Sequence, residues 1–213
     1  MSLQQEKFEH TKPTIHIVTI GSVGHGKSTL TAALYSVLAK TYGGADYARS
    51  YARSYEDIAN PSEELTLDGI SLHVSRVEYY TAVCNYVHLD CPAQGNDMNT
   101  MLRSGTLING AILVVSAAYG LTPQTREQVQ LASQSGVPYI IGYLNHCDLI
   151  DDEEALELIE MEMRELLSEN DFPGDDLPVT RGSALKALEG KGEYENKIIE
   201  LTHHLNTYIP HNT

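Results

Sequence analysis

Hydrophobic positions change period several times along the chain, and each change marks an element. Thr14–Ile20 alternates and is rich in β-branched residues, the pattern of a strand. A glycine-rich turn follows at once, and then Leu30, Ala33, Leu34, Val37 and Leu38 recur at helical spacing. Segments 70–79 and 83–89 read as two further strands, close enough to form a hairpin. Segments 111–117 and 138–144 are short, continuous apolar runs, as expected of parallel strands buried on both faces. Between them Thr122 stands where a helix cap belongs, with Pro123 in the first helical position and Gly136 as the stop. Leu156, Ile159, Met163 and Leu166 form one face of another helix, and a short strand (177–181) and a last helix (194–208) follow.

Strands alternating with helices predict an α/β fold of three layers. Its sheet is mostly parallel with one antiparallel edge strand, and helices cover both faces. Ligands of such sheets bind at the carboxyl ends of the strands, which is where the motifs below fall. A chain of 213 residues can bury one large core without disulfide or metal staples. The longest apolar stretch, around 111–118, is too short to span a bilayer, and residues 1–10 hold no apolar signal segment. Cys84, Cys91 and Cys147 form neither an even framework nor a C-x-x-C pair, which suits a reducing compartment. The expected setting is cytoplasmic, away from membranes.

The net charge of −15 is concentrated in the last third, where residues 151–213 carry sixteen acids against five bases. Such a surface excludes nonspecific binding of nucleic acid, which depends on clustered Lys and Arg. The acidic run 151–157 reads as a solvated helix face rather than a docking surface for a basic partner. Residues 47–55 read YARSYARSY, a four-residue unit written twice, and the simplest reading is a local duplication lengthening a loop or short helix.

Gly21-Ser-Val-Gly-His-Gly26-Lys27-Ser28 fits G-x-x-x-x-G-K-[ST], between a predicted strand and a predicted helix. Glycines let the backbone curl so that successive N–H groups face inward as a nest for phosphate oxygens. Val23, Gly24, His25, Gly26, Lys27, Ser28 and Thr29 form this candidate loop. Lys27 is expected to reach the terminal phosphates and the Ser28 hydroxyl to ligate Mg²⁺. Asp90 ends the 83–89 strand and is a candidate to hold the metal through a water. Asn145-His146-Cys-Asp148 follows another strand; a carboxylate at Asp148 can accept from both N1–H and N2–H of guanine, a pairing adenine does not offer. Asn145 is expected to brace this loop against the phosphate nest. Ser183, Ala184 and Leu185, after the next strand, offer backbone groups to the base carbonyl.

These motifs, with LTAA at 30–33, VLAKTYGGA at 37–45, GAILVV at 110–115, PQTRE at 123–127, GVPYII at 136–141, DFPGDD at 171–176 and RGSALKALEG at 181–190, resemble the GTP-binding domain of the elongation factor Tu family from Lys7 to Pro210. The resemblance implies a translational GTPase fold, GTP and GDP as ligands, Mg²⁺, and a switch cycle involving the ribosome and a nucleotide-exchange factor. It also implies roles for Ser71 as a second metal hydroxyl, Ala93 as an N–H for the γ-phosphate, and Gln94 at the catalytic position. Departures cluster in the same places. Gly24 and Ser28 replace the family's Asp and first Thr, and Ser22 replaces a His. R-G-I-T-I becomes Asp68-Gly-Ile-Ser71-Leu, D-C-P-G-H becomes Asp90-Cys-Pro-Ala93-Gln94, and N-K-C-D becomes Asn145-His-Cys-Asp148. The domain expectation is an N-terminal arm (1–13) and a G domain (14–213), without the β-barrel domains of the full-length family, hence with weak or no tRNA binding. The functional expectation is a slow GTP hydrolase in which Gln94 orients water and Lys27 stabilises charge. The alternatives are a nucleotide-binding switch with negligible hydrolysis, or an interaction module.

Overall fold

The computed structural model describes residues 12–43, 64–67, 70–73, 75–90 and 108–211, with 64–67 and 70–73 as backbone alone. In chain order the elements are β1 (Thr14–Ile20), α1 (Lys27–Tyr42), β2 (Glu64–Leu67), β3 (Ile70–His73), β4 (Ser75–Tyr80), β5 (Asn85–Asp90), β6 (Gly110–Ser116), α2 (Pro123–Gln134), β7 (Ile140–Asn145), a 3-10 turn (Cys147–Leu149), α3 (Glu153–Ser168), β8 (Val179–Arg181), α4 (Ala184–Leu188) and α5 (Gly192–Tyr208). Six strands form one sheet in the order β4-β5-β1-β6-β7-β8, parallel except for β4 against β5. This is the α/β architecture that the alternating pattern predicts.

The central strands are apolar on both faces because both are covered. On β6, Ala111, Leu113 and Val115 pack with Val129 and Ala132 of α2 and Met163 of α3. The intervening Ile112 and Val114 pack with Leu34 of α1 and Ile198 and Leu201 of α5. Helix starts follow local chemistry. Thr122 caps α2 by accepting from Thr125 N–H, in a capping box with Pro123 in the first turn. Asp152 caps α3 by accepting from Glu154 N–H at 3.0 Å, and Glu153 and Glu154 favour the positive end of that helix. The acidic run is solvent-facing as expected, while Glu160 further along α3 bridges Arg164 (2.8 Å) and Arg181 (2.7 Å).

One strand expectation is corrected. The 70–79 run is divided: β3 pairs with β2 in a separate two-stranded ribbon, and β4 pairs with β5 in the main sheet. Alternation reports an extended backbone but does not name its partner. The hairpin of β4 with β5 agrees with expectation, and Val77 and Tyr79 turn inward from it.

His88 on β5 is fully buried, with Tyr79 Oη 3.1 Å from Nδ1 and Thr31 Oγ1 3.5 Å from Nε2. Burial pushes its pKa down to about 3. The unfolded chain, with an ordinary histidine near 6.5, takes up a proton that the folded chain refuses, so stability is complete above that value and falls as pH drops. Between pH 7 and 5 this group should remove about 2 kcal/mol. Urea unfolding across that range should show the loss in the wild type and a shallower slope in His88→Gln; parallel slopes would refute the assignment.

Candidate nucleotide-binding site

The loop from Gly21 to Gly26 leaves β1 and enters α1 at the carboxyl end of the sheet. Gly26 is the N-cap of α1 in the left-handed region (φ 88°), with no side-chain cap. Leu30 N–H makes the first helical bond, to Gly26 C=O at 2.8 Å, so the Ser28 and Thr29 amides lie in the first turn, before the intrahelical ladder begins. That arrangement suits an anion. Lys27 folds back over the loop, and its Nζ donates to the carbonyls of Gly21 (2.8 Å) and Ser22 (2.9 Å). The same two residues are pinned to α2. Gly21 N–H donates to Gln128 Oε1 at 2.5 Å, and Ser22 Oγ lies 2.5 Å from Thr122 Oγ1 and 2.8 Å from Thr125 Oγ1. Val23 N–H reaches Gln124 Oε1 at 3.0 Å. Sequence reasoning found the loop but not this clamp: Gln124 and Thr125 lie in the PQTRE stretch and Gln128 just beyond it, but nothing in that stretch says that it faces the loop.

Asp90, the last residue of β5, is buried beside the loop. Ser28 Oγ donates to its Oδ2 at 2.5 Å and Thr19 Oγ1 to its Oδ1 at 2.6 Å. Burial raises the Asp90 pKa, while those two hydroxyls and the Lys27 charge pull it back. Thr19 was also missed by sequence reasoning; it is a polar residue near the carboxyl end of β1, between the buried Val18 and Ile20 and itself fully buried.

Asn145 ends β7 and ties two loops together. Its Nδ2 donates to His25 C=O at 2.9 Å, the brace expected from sequence, and its Oδ1 accepts from Ala184 N–H at 2.9 Å. A β-carbon on Gly26 would fall on the Asn145 amide, so this approach requires glycine. His146 follows with φ 61° and caps the 3-10 turn that carries Asp148. Asp148 Oδ1 is buried and has no hydrogen-bond partner. Ser183 caps α4 by accepting from Lys186 N–H, and Leu185 is exposed beside the buried Ala184. Because Ala184 N–H is committed to Asn145, the first-turn amide left by position for a ligand carbonyl is that of Leu185. His25 and His146 are both held below the ordinary histidine pKa, chiefly by burial.

The sequence matches the family described as the elongation factor Tu GTP binding domain over residues 12–211. The chain belongs to the elongation factor Tu GTP-binding domain family. It is therefore a GTP-binding domain of the translational GTPase type, and the six-stranded sheet is that family's phosphate-loop GTPase fold.

The residues present fit the ligands of an elongation factor Tu G domain. The orphaned Asp148 Oδ1 is an acceptor that a guanine edge satisfies. Ser28, Thr19 and Asp90 form an oxygen-only set of the kind a hard cation such as Mg²⁺ takes. Ser71 lies on β3, where the backbone alone is described, and Ala93, Gln94 and the 47–55 duplication lie outside the described residues. No helix among the described residues is long and apolar enough to cross a membrane.

Proposed function

We propose that this domain binds GTP and GDP with Mg²⁺ and hydrolyses GTP slowly to GDP and phosphate. The observation that carries the reading is the convergence, at one end of the sheet, of a lysine-bearing phosphate loop and a half-buried carboxylate with one buried, unpartnered oxygen, on the loop that Asn145 braces against it. Val23, Gly24, His25, Gly26, Lys27, Ser28 and Thr29 cradle the phosphates, with Ala93 N–H joining them at the γ-phosphate. Asn145, His146, Asp148, Ser183, Ala184 and Leu185 surround the base. Ser28 and Asp90, with Ser71, hold Mg²⁺, which when bound offsets phosphate charge. Lys27 and the loop amides stabilise charge as the terminal phosphoryl group is transferred to water. Gln94 orients that water, accepting from it and donating toward the phosphate.

The domain assignment extends this reading: residues 1–13 an arm and 14–213 the G domain, acting in the cytoplasm. The ribosome and an exchange factor are its proposed macromolecular partners. The −15 charge argues against tight tRNA binding by these residues alone.

The test is a panel of GTP, GDP, ATP and XTP binding beside single-turnover GTP hydrolysis with Mg²⁺. Guanine-selective binding with turnover supports the reading, and no binding removes it. Binding without turnover instead favours the nonhydrolysing switch, which the sequence changes at Asp68, Ala93 and Gln94 make the second reading. Gln94→Ala should then lower turnover while GTP and GDP affinities hold within about a few-fold, because its contacts strengthen in the transition state. Unchanged turnover would remove Gln94 from the mechanism.

A further inference from the structure

Ser116, the last residue of β6, was singled out by no motif, yet it meets two imidazoles, His25 within the phosphate loop and His146 on the base loop. Its peptide N–H donates to His25 Nδ1 at 3.3 Å, and the His25 ring stacks on Tyr119 with centroids 6.2 Å apart. Its side-chain Oγ lies 2.8 Å from His146 Nδ1 and accepts from Ala118 N–H at 3.3 Å. The hydroxyl oxygen can accept two hydrogen bonds, so the amide alone does not fix the direction. Among the described residues the one acceptor in reach of the hydroxyl proton is His146 Nδ1, and donation to it leaves Nδ1 as the unprotonated nitrogen. The ring proton then sits on Nε2, on the opposite edge. That edge faces the phosphate loop: Nε2 is 3.5 Å from the point a β-carbon on Gly26 would occupy.

We infer that Ser116 is a positioning residue, which holds His146 in the Nε2–H tautomer so that the base loop donates a hydrogen bond to the bound nucleotide beside Gly26. His146 is thus a short, planar donor whose direction is set from beneath. The left-handed backbone at His146 turns the ring back over β6, which is why a residue thirty positions upstream can govern it. Burial disfavours a second proton on the ring, against the opposing charge of Asp148, and the same direction holds at His25 beside Lys27 and His146.

The inference rests on the nucleotide-site reading, and two measurements keep their failures apart. Long-range ¹H–¹⁵N spectra of the imidazoles, with the His146 signals assigned from His146→Asn, read the tautomer without nucleotide. GDP titration reads its consequence. The wild type should show a protonated Nε2 and bare Nδ1. Ser116→Ala should mix the tautomers and weaken GDP about threefold to tenfold, one hydrogen bond's effect, and Ser116→Thr should restore both. A wild-type ring protonated on Nδ1, or a Ser116→Ala variant with unchanged tautomer or unchanged GDP affinity, overturns the inference. Should Ser116→Ala fail to fold, the wild-type spectrum and the GDP affinity of His146→Asn decide: a weakened affinity supports the role, an unchanged one ends it. A wild type that binds no GDP removes the nucleotide-site reading and the donor role together, whatever the spectrum shows.

Discussion

Asp148→Asn is expected to lower GDP and GTP affinity about tenfold to hundredfold and to turn preference toward xanthine nucleotides. The carboxylate has an oxygen that is buried and unpartnered, a costly arrangement unless a ligand supplies donors. Guanine supplies two, from N1–H and N2–H. An asparagine amide retains one acceptor and adds a donor, which faces the guanine amino group as a repulsion and the xanthine C2 carbonyl as a partner. A charge-assisted pairing is worth about 1.5–3 kcal/mol, and that sets the fold-change. Competition titrations with GDP and XDP on the wild type and the variant measure it. Equal GDP affinities would mean that Asp148 does not read the base.

Gly26→Ala should cost both folding stability and nucleotide affinity, through backbone strain and through the Asn145 bridge. At φ 88° an alanine carries a left-handed strain of about 1–2 kcal/mol. Its methyl would also fall on the Asn145 amide, so Asn145 must move and surrender its bonds to His25 C=O and Ala184 N–H. Each lost buried bond adds about 1 kcal/mol or more, for a total of about 3–5 kcal/mol. The loss should appear in urea unfolding without nucleotide and as a collapse of GDP affinity, because the same amide joins the phosphate and base loops. Gly24→Ala is the control: that glycine is also left-handed (φ 79°), but a β-carbon there meets nothing, so it carries the backbone strain alone. Equal losses in the two variants would assign the effect to strain and not to the Asn145 bridge.

Much of this was legible in the chain. β1 spans Thr14–Ile20 as its alternation predicts, and α2 starts and stops at its Thr-Pro and Gly signals, with Gly136 at φ 74° just beyond it. β7 begins two residues later than the apolar run, at Ile140, after Pro138, which has no N–H for the ladder. α4, at five residues, is too short to show a helical period, and it was missed even though Ser183 is its cap. The phosphate loop was readable because its requirements are local: glycines at forced dihedrals, a lysine, and a helix start.

Sequence alone therefore determined the order and kind of most elements, the family, and the residues whose chemistry is carried by short motifs. Periodicity and capping act over a few residues, and their physical causes lie inside the same stretch of chain. Only the tertiary structure decided that Thr19 and Ser28 share the carboxylate of Asp90, that Gln128 holds Gly21 across more than a hundred residues, and that Ser116 faces His146. Those partners are single side chains from different elements, brought together by the stacking of α1 and α2 on opposite faces of one sheet. A polar group inside an apolar strand announces that it needs a partner, but which partner it meets depends on the packing of the whole core.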